Sequence, residues 1–149
     1  ELPDQSTWDL LKAEYSTIGI SFEAHPLELI RPSLDPAVLT TKAAAESEHG
    51  SEVLTAGMVT TRQSPMTAMG TVFLLLEDEC GALNLIVPRS LAEKLRHTVR
   101  TARLIEAAGR IERDGRTVNL IVRNLERIAL PNPDIEESLP DPNSFEAGR

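Results

Sequence analysis

The sequence predicts a mainly β protein: a five-stranded Greek-key barrel with one helix between its third and fourth strands. Three observations carry this. Between residues 51 and 130, runs rich in Val, Ile, Leu and Thr recur five times, separated by turn residues. One helical period, Leu91, Leu95 and Val99, falls between the third and fourth runs. The last two runs are joined by Asp114-Gly115, the strongest short hairpin signal.

The elements follow in chain order. Ser6 can cap a short amphipathic helix with Trp8, Leu10, Leu11 and Tyr15 as its apolar side. Gly19 and His25-Pro26 break that pattern. Asp35 then Pro36 reads as an N-cap with proline at the first helical position, so a helix is expected over 37–48, stopped by Gly50. Strands are expected over Val53–Arg62, Val72–Glu77 and Leu83–Val87, the first two separated by a Gln-Ser-Pro loop. Ser90 and Glu93 are spaced as a capping box for the helix that follows. Leu104–Glu112 and Thr117–Ile128 complete the set. Three strands, a helix and a two-strand hairpin is the order of an OB-fold. The chain therefore divides into a helical lead-in (1–50), an OB-fold domain (51–130) and an acidic tail (131–149) whose Pro-, Asp- and Glu-rich composition predicts flexibility.

Charge is unevenly spread over these parts. The 149 residues carry a net −8, divided as −6 over 1–50, +2 over 51–130 and −4 over 131–149. Ten of the eleven cations in the middle block are Arg, the side chain that combines stacking with forked donation to phosphate. An anionic partner is expected there, although the whole chain is too acidic for non-specific nucleic-acid binding. No apolar run approaches the ~20 residues of a membrane span, so no membrane partner is expected. Cys80 is alone, which fits a reducing, cytoplasmic compartment. The first residue is Glu1 rather than Met, which suggests an excised piece of a longer protein.

Catalytic and cofactor signals are missing. Glu77-Asp78-Glu79 are consecutive acids at a turn; they point different ways and read as solvated. His25, His49 and His97 are scattered, and no Cys-x-x-Cys occurs, so no zinc site is expected. Cys80 has no neighbouring His to activate it. No phosphate-cradling Gly-rich loop is present, and no cofactor is expected. The chain is not expected to be an enzyme in itself.

Phe73 is the one aromatic between Val53 and Ile128. On the second strand Phe73, Leu75 and Glu77 share one face, and Glu77 wants water. That makes Phe73 an exposed stacking platform, unless the strand is buried on both sides. Asn84 on the third strand points the same way as Ile86, either toward a base edge or simply toward solvent. Arg110, Arg113, Arg116 and Arg123 belong to the last hairpin, whose loop OB-folds also use for binding. Arg89, Lys94, Arg96, Arg100 and Arg103 read as a solvated helix face.

The stretch from Gly57 to Gly70 (GMVTTRQSPMTAMG), then Phe73 to Gly81 (FLLLEDECG), resembles the C-terminal OB-fold of bacterial DnaE-type DNA polymerase III alpha subunits, closest to the error-prone, ImuC-like branch. Ala102 to Leu104, Gly109 to Glu112 and the lead-in residues Glu14-Tyr15, His25-Pro26 and Arg31 fit the same pattern, so the likeness spans roughly 10–128. Ser64 and Met69 stand where family members often carry a basic residue. The resemblance implies a parent polymerase for damage-associated synthesis, its catalytic carboxylates lying outside this chain. Single-stranded template DNA is the expected partner, held at Arg62, Gln63, Phe73, Leu75, Asn84, Arg110, Arg113, Arg116 and Arg123. Arg62 and Gln63 open the loop after the first strand, for phosphate contact or for a loop-anchoring salt bridge to Glu77 or Asp78. Two alternatives stand beside it. The first is a protein-interaction module that docks another polymerase or mutasome subunit on Leu75 and Ile86. The second is a tRNA anticodon-binding OB domain.

Overall fold

The computed structural model describes residues 25–129. The expected helix at Ser6 and the tail over 131–149 lie outside them. The lead-in supplies α1 (Pro26–Ile30), a 3-10 turn (Arg31–Ser33) and α2 (Thr41–Ala45). Then come β1 (Glu52–Gln63), a 3-10 turn (Met66–Ala68), β2 (Val72–Glu77), β3 (Ala82–Val87), α3 (Arg89–Lys94), α4 (Arg96–Thr101), β4 (Leu104–Asp114) and β5 (Thr117–Arg127).

The strands close a barrel in the order β1-β2-β3-β5-β4, with β3 and β5 parallel and every other pair antiparallel. This is the predicted five-stranded OB barrel with helix between β3 and β4. Period-2 alternation sends Leu74, Leu76, Leu83, Leu85, Val87, Ile111, Leu120 and Val122 inward, where all are buried. Burying a side chain of this size gains about 1.5–3 kcal/mol against exposure. Strands of eleven and twelve residues must bend to close so small a barrel. Register slips between Val59 and Thr61, and between Ala108 and Gly109, allow it. At Gly109 a Cβ would lie 2.1 Å from the Ile121 carbonyl oxygen, so only glycine lets β5 approach.

The described lead-in is bonded to the barrel. Leu27 and Ile30 bury the outer side of β1 and the ends of β4 and β5 with Ala56, Met58, Leu104 and Ile128. The expected helix over 37–48 is reduced to α2, capped by Thr40, whose hydroxyl accepts from the Ala43 N–H. Asp35 instead closes a turn on the Ala37 N–H. Helix cannot start at Pro36 because Leu39 runs alongside β1: its N–H donates to Leu54 O, and Thr55 Oγ1 donates to Leu39 O. The Ser90–Glu93 capping box does not form either. Pro88 takes the cap position without a side-chain bond, Ser90 lies inside α3, and Glu93 pairs with Arg89 at 3.1 Å. The single helix expected from Leu91, Leu95 and Val99 is broken at Leu95 (φ −107°, ψ 32°) into α3 and α4.

Candidate nucleic-acid interface

The outer face of the sheet is built by register. Inward residues on every strand are fixed by the core, so their neighbours face out. Gln63, Phe73, Ile86, Ile121 and Arg110 are successive partners across β1, β2, β3, β5 and β4. Thr61, Leu75, Asn84, Asn119 and Glu112 form the next row. Phe73 is 36% exposed, while Leu75, Ile86 and Ile121 are half-buried between polar neighbours. The amides of Gln63, Asn84 and Asn119 carry no side-chain hydrogen bond among the described residues. Both donor and acceptor atoms of these amides face outward for a ligand. An aromatic ring with an apolar floor and free amides suits a flat, edge-bonding ligand such as a base.

Four of the nine predicted site residues (Gln63, Phe73, Leu75 and Asn84) are thus brought together on β1, β2 and β3, while Arg110 stands in the same row on β4, three strands from Phe73 along it round the closed barrel. Arg116 projects from the β4–β5 turn and is exposed. The other three are elsewhere or spoken for. Arg62 is a correction: it is only 8% exposed, and its guanidinium donates to the Val99 and Ala102 carbonyls at 2.6 and 3.0 Å. It closes the C-terminal end of α4, where carbonyls otherwise lack partners. Neither phosphate contact nor the alternative salt bridge to Glu77 or Asp78 describes it. Arg113 is likewise turned away, donating to Ala45 O and Ser47 O at the end of α2. Arg123 lies further along β5 and pairs with Glu52 at 2.8 Å. Even Arg110, in the first row, has Glu112 at 3.7 Å. The face is accordingly less cationic than composition implied.

The acidic turn after β2 also departs from expectation. Asp78 is buried rather than solvated. Its Oδ1 accepts from Thr41 Oγ1 and from the Cys80 and Gly81 N–H groups; its Oδ2 accepts from the Thr41 N–H and Arg31 Nη2. Burial pushes this carboxyl up, but those bonds outweigh it and hold it below its ordinary value. Glu79 is lowered chiefly by its bond from Arg31. Asp78, Glu79 and Cys80 cluster closely enough to suggest a metal, yet both carboxylates are already used by the lead-in. They form a tether between lead-in and barrel. His25 caps α1 by accepting from the Leu27 N–H through Nδ1. Burial lowers its pKa against the pull of Asp78, Glu79 and Glu77. Glu106, by contrast, is raised by burial and by the nearby Glu126 and Asp35 carboxylates.

Nothing in the local sequence marks Asn119 and Ile121 as members of this surface. Their place depends on the parallel β3–β5 pairing, which no local pattern announces.

No protein-family profile matches the chain. Curated relatives do. An error-prone DNA polymerase of Anaeromyxobacter dehalogenans (strain 2CP-C) is 39% identical over 130 residues, 87% of this chain and 12% of that protein. One from Alkalilimnicola ehrlichii is 44% identical over 117 residues, 78% of this chain and 11% of that protein. One from Xanthomonas campestris (strain B100) is 40% identical over 126 residues, 84% of this chain and 12% of that protein. The chain spans about an eighth of the length of these relatives. Among solved structures, asparaginyl-tRNA synthetase from Pyrococcus horikoshii superposes with a TM-score of 0.54 at 20% identity, over 74% of this chain and 26% of that one. An OBody bound to hen egg-white lysozyme superposes with a TM-score of 0.52 at 16% identity, over 65% of this chain and 99% of that one. These two establish the fold alone. With the motif resemblance and 39–44% identity pointing the same way, the chain corresponds to an OB-fold segment of the DnaE-type, error-prone DNA polymerase family.

Proposed function

We propose that this OB barrel holds single-stranded template DNA for an error-prone, translesion polymerase, and takes no part in the chemistry itself. The observation that supports the reading best is the row Gln63–Phe73–Ile86–Ile121–Arg110, in which an exposed ring lies between an amide and an aliphatic neighbour and a guanidinium stands at the far end. A base stacks on Phe73, while Gln63 and Asn84 bond its edges or the sugar. Arg116 at the hairpin tip meets a phosphate. Since Phe73 has a π-face that any base can use, sequence preference is small.

The test is fluorescence anisotropy of a labelled single-stranded oligonucleotide at low and near-physiological salt. Losing one stacked base costs about 1–3 kcal/mol, or roughly 5- to 150-fold in Kd, for Phe73→Ala. Phe73 is partly exposed, so the variant stays folded. Absence of binding at low salt, where counterion release favours it most, overturns the reading.

A second reading has its own support. The face centre (Phe73, Leu75, Ile86, Ile121) is apolar, and Arg110 and Arg123 beside it have acidic neighbours. A polymerase or mutasome subunit docked there uses the same residues, and its binding is insensitive to oligonucleotide.

A further inference from the structure

The cations missing from the sheet face gather beside it. A cavity of about 450 Å³ opens between the β1–β2 loop and the α3–α4 pair. Ser64 and Val72 form its near edge, and each is the chain neighbour of a first-row residue, Gln63 and Phe73. Arg96 and Arg100 form its far wall, one helical turn apart on α4. Both are exposed, and neither has an acidic partner among the described residues. The acid in the lining, Glu93, is engaged by Arg89. Val72, Ala92 and Val99 supply apolar floor.

The shape is fixed by the loop. Met69 (φ 54°) and Gly70 (φ 96°) both take left-handed backbone, which turns the chain back toward α3. A Cβ on Gly70 would fall 2.8 Å from Arg89 Cγ, so the Arg89 stem packs directly on the glycine. That packing holds loop and helix at a set separation and leaves the cleft between them open.

We propose that this cleft is a phosphate subsite: Arg96 and Arg100 bind a phosphate carried on a nucleoside, with the Ser64 hydroxyl donating a further hydrogen bond. Two unpaired guanidiniums one turn apart offer forked donors to such an anion. The apolar floor takes the sugar. The inference rests on the proposed strand-holding face, because the cleft begins where the Gln63–Phe73 row ends. It gives a strand leaving that face its electrostatic anchor. A free nucleotide has the same chemistry.

The test compares wild type, Phe73→Ala and the double variant Arg96→Gln/Arg100→Gln. The probes are labelled oligothymidylate by anisotropy and thymidine monophosphate by calorimetry. Both substituted arginines are exposed, and thermal denaturation confirms that the variant folds. Removing the charge-assisted bonds weakens the double variant about tenfold. Its salt slope falls by about 0.7 for each phosphate of a single strand that is no longer neutralised. An effect on the oligonucleotide assigns the phosphate to a strand, and an effect on the mononucleotide alone assigns it to free nucleotide. Binding that weakens with Phe73→Ala but is unchanged in affinity and salt slope in the double variant overturns the cleft and leaves the face standing. A wild-type chain that binds neither probe overturns both.

Discussion

Replacing Asp78 by Ala tests how the lead-in is attached to the barrel. The side chain accepts five hydrogen bonds, two of them from Thr41, which is itself fully buried. Cys80 and Gly81 are exposed residues, so replacing the carboxylate by water at their N–H groups is expected to cost little. The Thr41 N–H and hydroxyl have no such substitute. A buried donor left unsatisfied costs about 1–3 kcal/mol, and breaking a buried charge–partner set about 3–5. Arg31 keeps Glu79, which moderates the loss. The expected destabilisation is about 3 kcal/mol, or roughly 10–14 °C in Tm for a chain of this size. The assay is urea denaturation of the full chain at pH 7, with Glu77→Ala as the neighbouring control, expected within about 0.5 kcal/mol of wild type. An Asp78→Ala variant as stable as that control refutes the tether. There is also a pH signature. Asp78 and Glu79 sit below their ordinary values in the folded chain, so unfolding takes up protons at acid pH. Their contribution is complete above the ordinary carboxylate range and is lost as pH falls through the lowered folded values. In Asp78→Asn that loss is blunted.

Three further outcomes follow from the same geometry. Arg62→Ala removes the guanidinium from two carbonyls at the end of α4 and lowers stability by about 2–4 kcal/mol, read by denaturant titration. Arg62→Lys lacks the fork and does not restore it, whereas an exposed phosphate-binding Arg would leave stability unchanged under either substitution. His25 has its pKa lowered by burial, so the unfolded chain binds its proton first as pH falls. Stability therefore declines as pH drops below the ordinary histidine value near 6.5. His25→Asn keeps an N-cap and flattens the pH profile between 5 and about 7.

The barrel was legible because its signals are local. Alternation in Val72–Glu77 and Leu83–Val87, together with Asp114-Gly115, states strand, face and turn without reference to anything distant. The outward face of β2 followed from one charged residue, Glu77. What the sequence hid is non-local. Asp35-Pro36 has every local mark of a helix start, yet Leu39 pairs with β1 and α2 begins only at Thr41. Arg62 has the composition of a phosphate ligand, and only the placement of α4 turns it into a cap. The acids after β2 look solvated until Arg31, 47 positions earlier, closes over Asp78. Arg96 and Arg100 looked like an ordinary solvated face, because nothing local says that the β1–β2 loop stands opposite them.

In the proposed complex, single-stranded DNA lies across β1, β2, β3 and β5 on the Phe73 side. Titrating an unlabelled oligonucleotide into the isotopically labelled chain and following backbone amide resonances locates the ligand residue by residue. DNA held on this face shifts resonances chiefly at Gln63, Phe73, Leu75, Asn84, Ile86, Asn119 and Ile121 and leaves α1 and the Asp78 turn unmoved. Shifts confined to the lead-in side, or none under saturating oligonucleotide at low salt, contradict it.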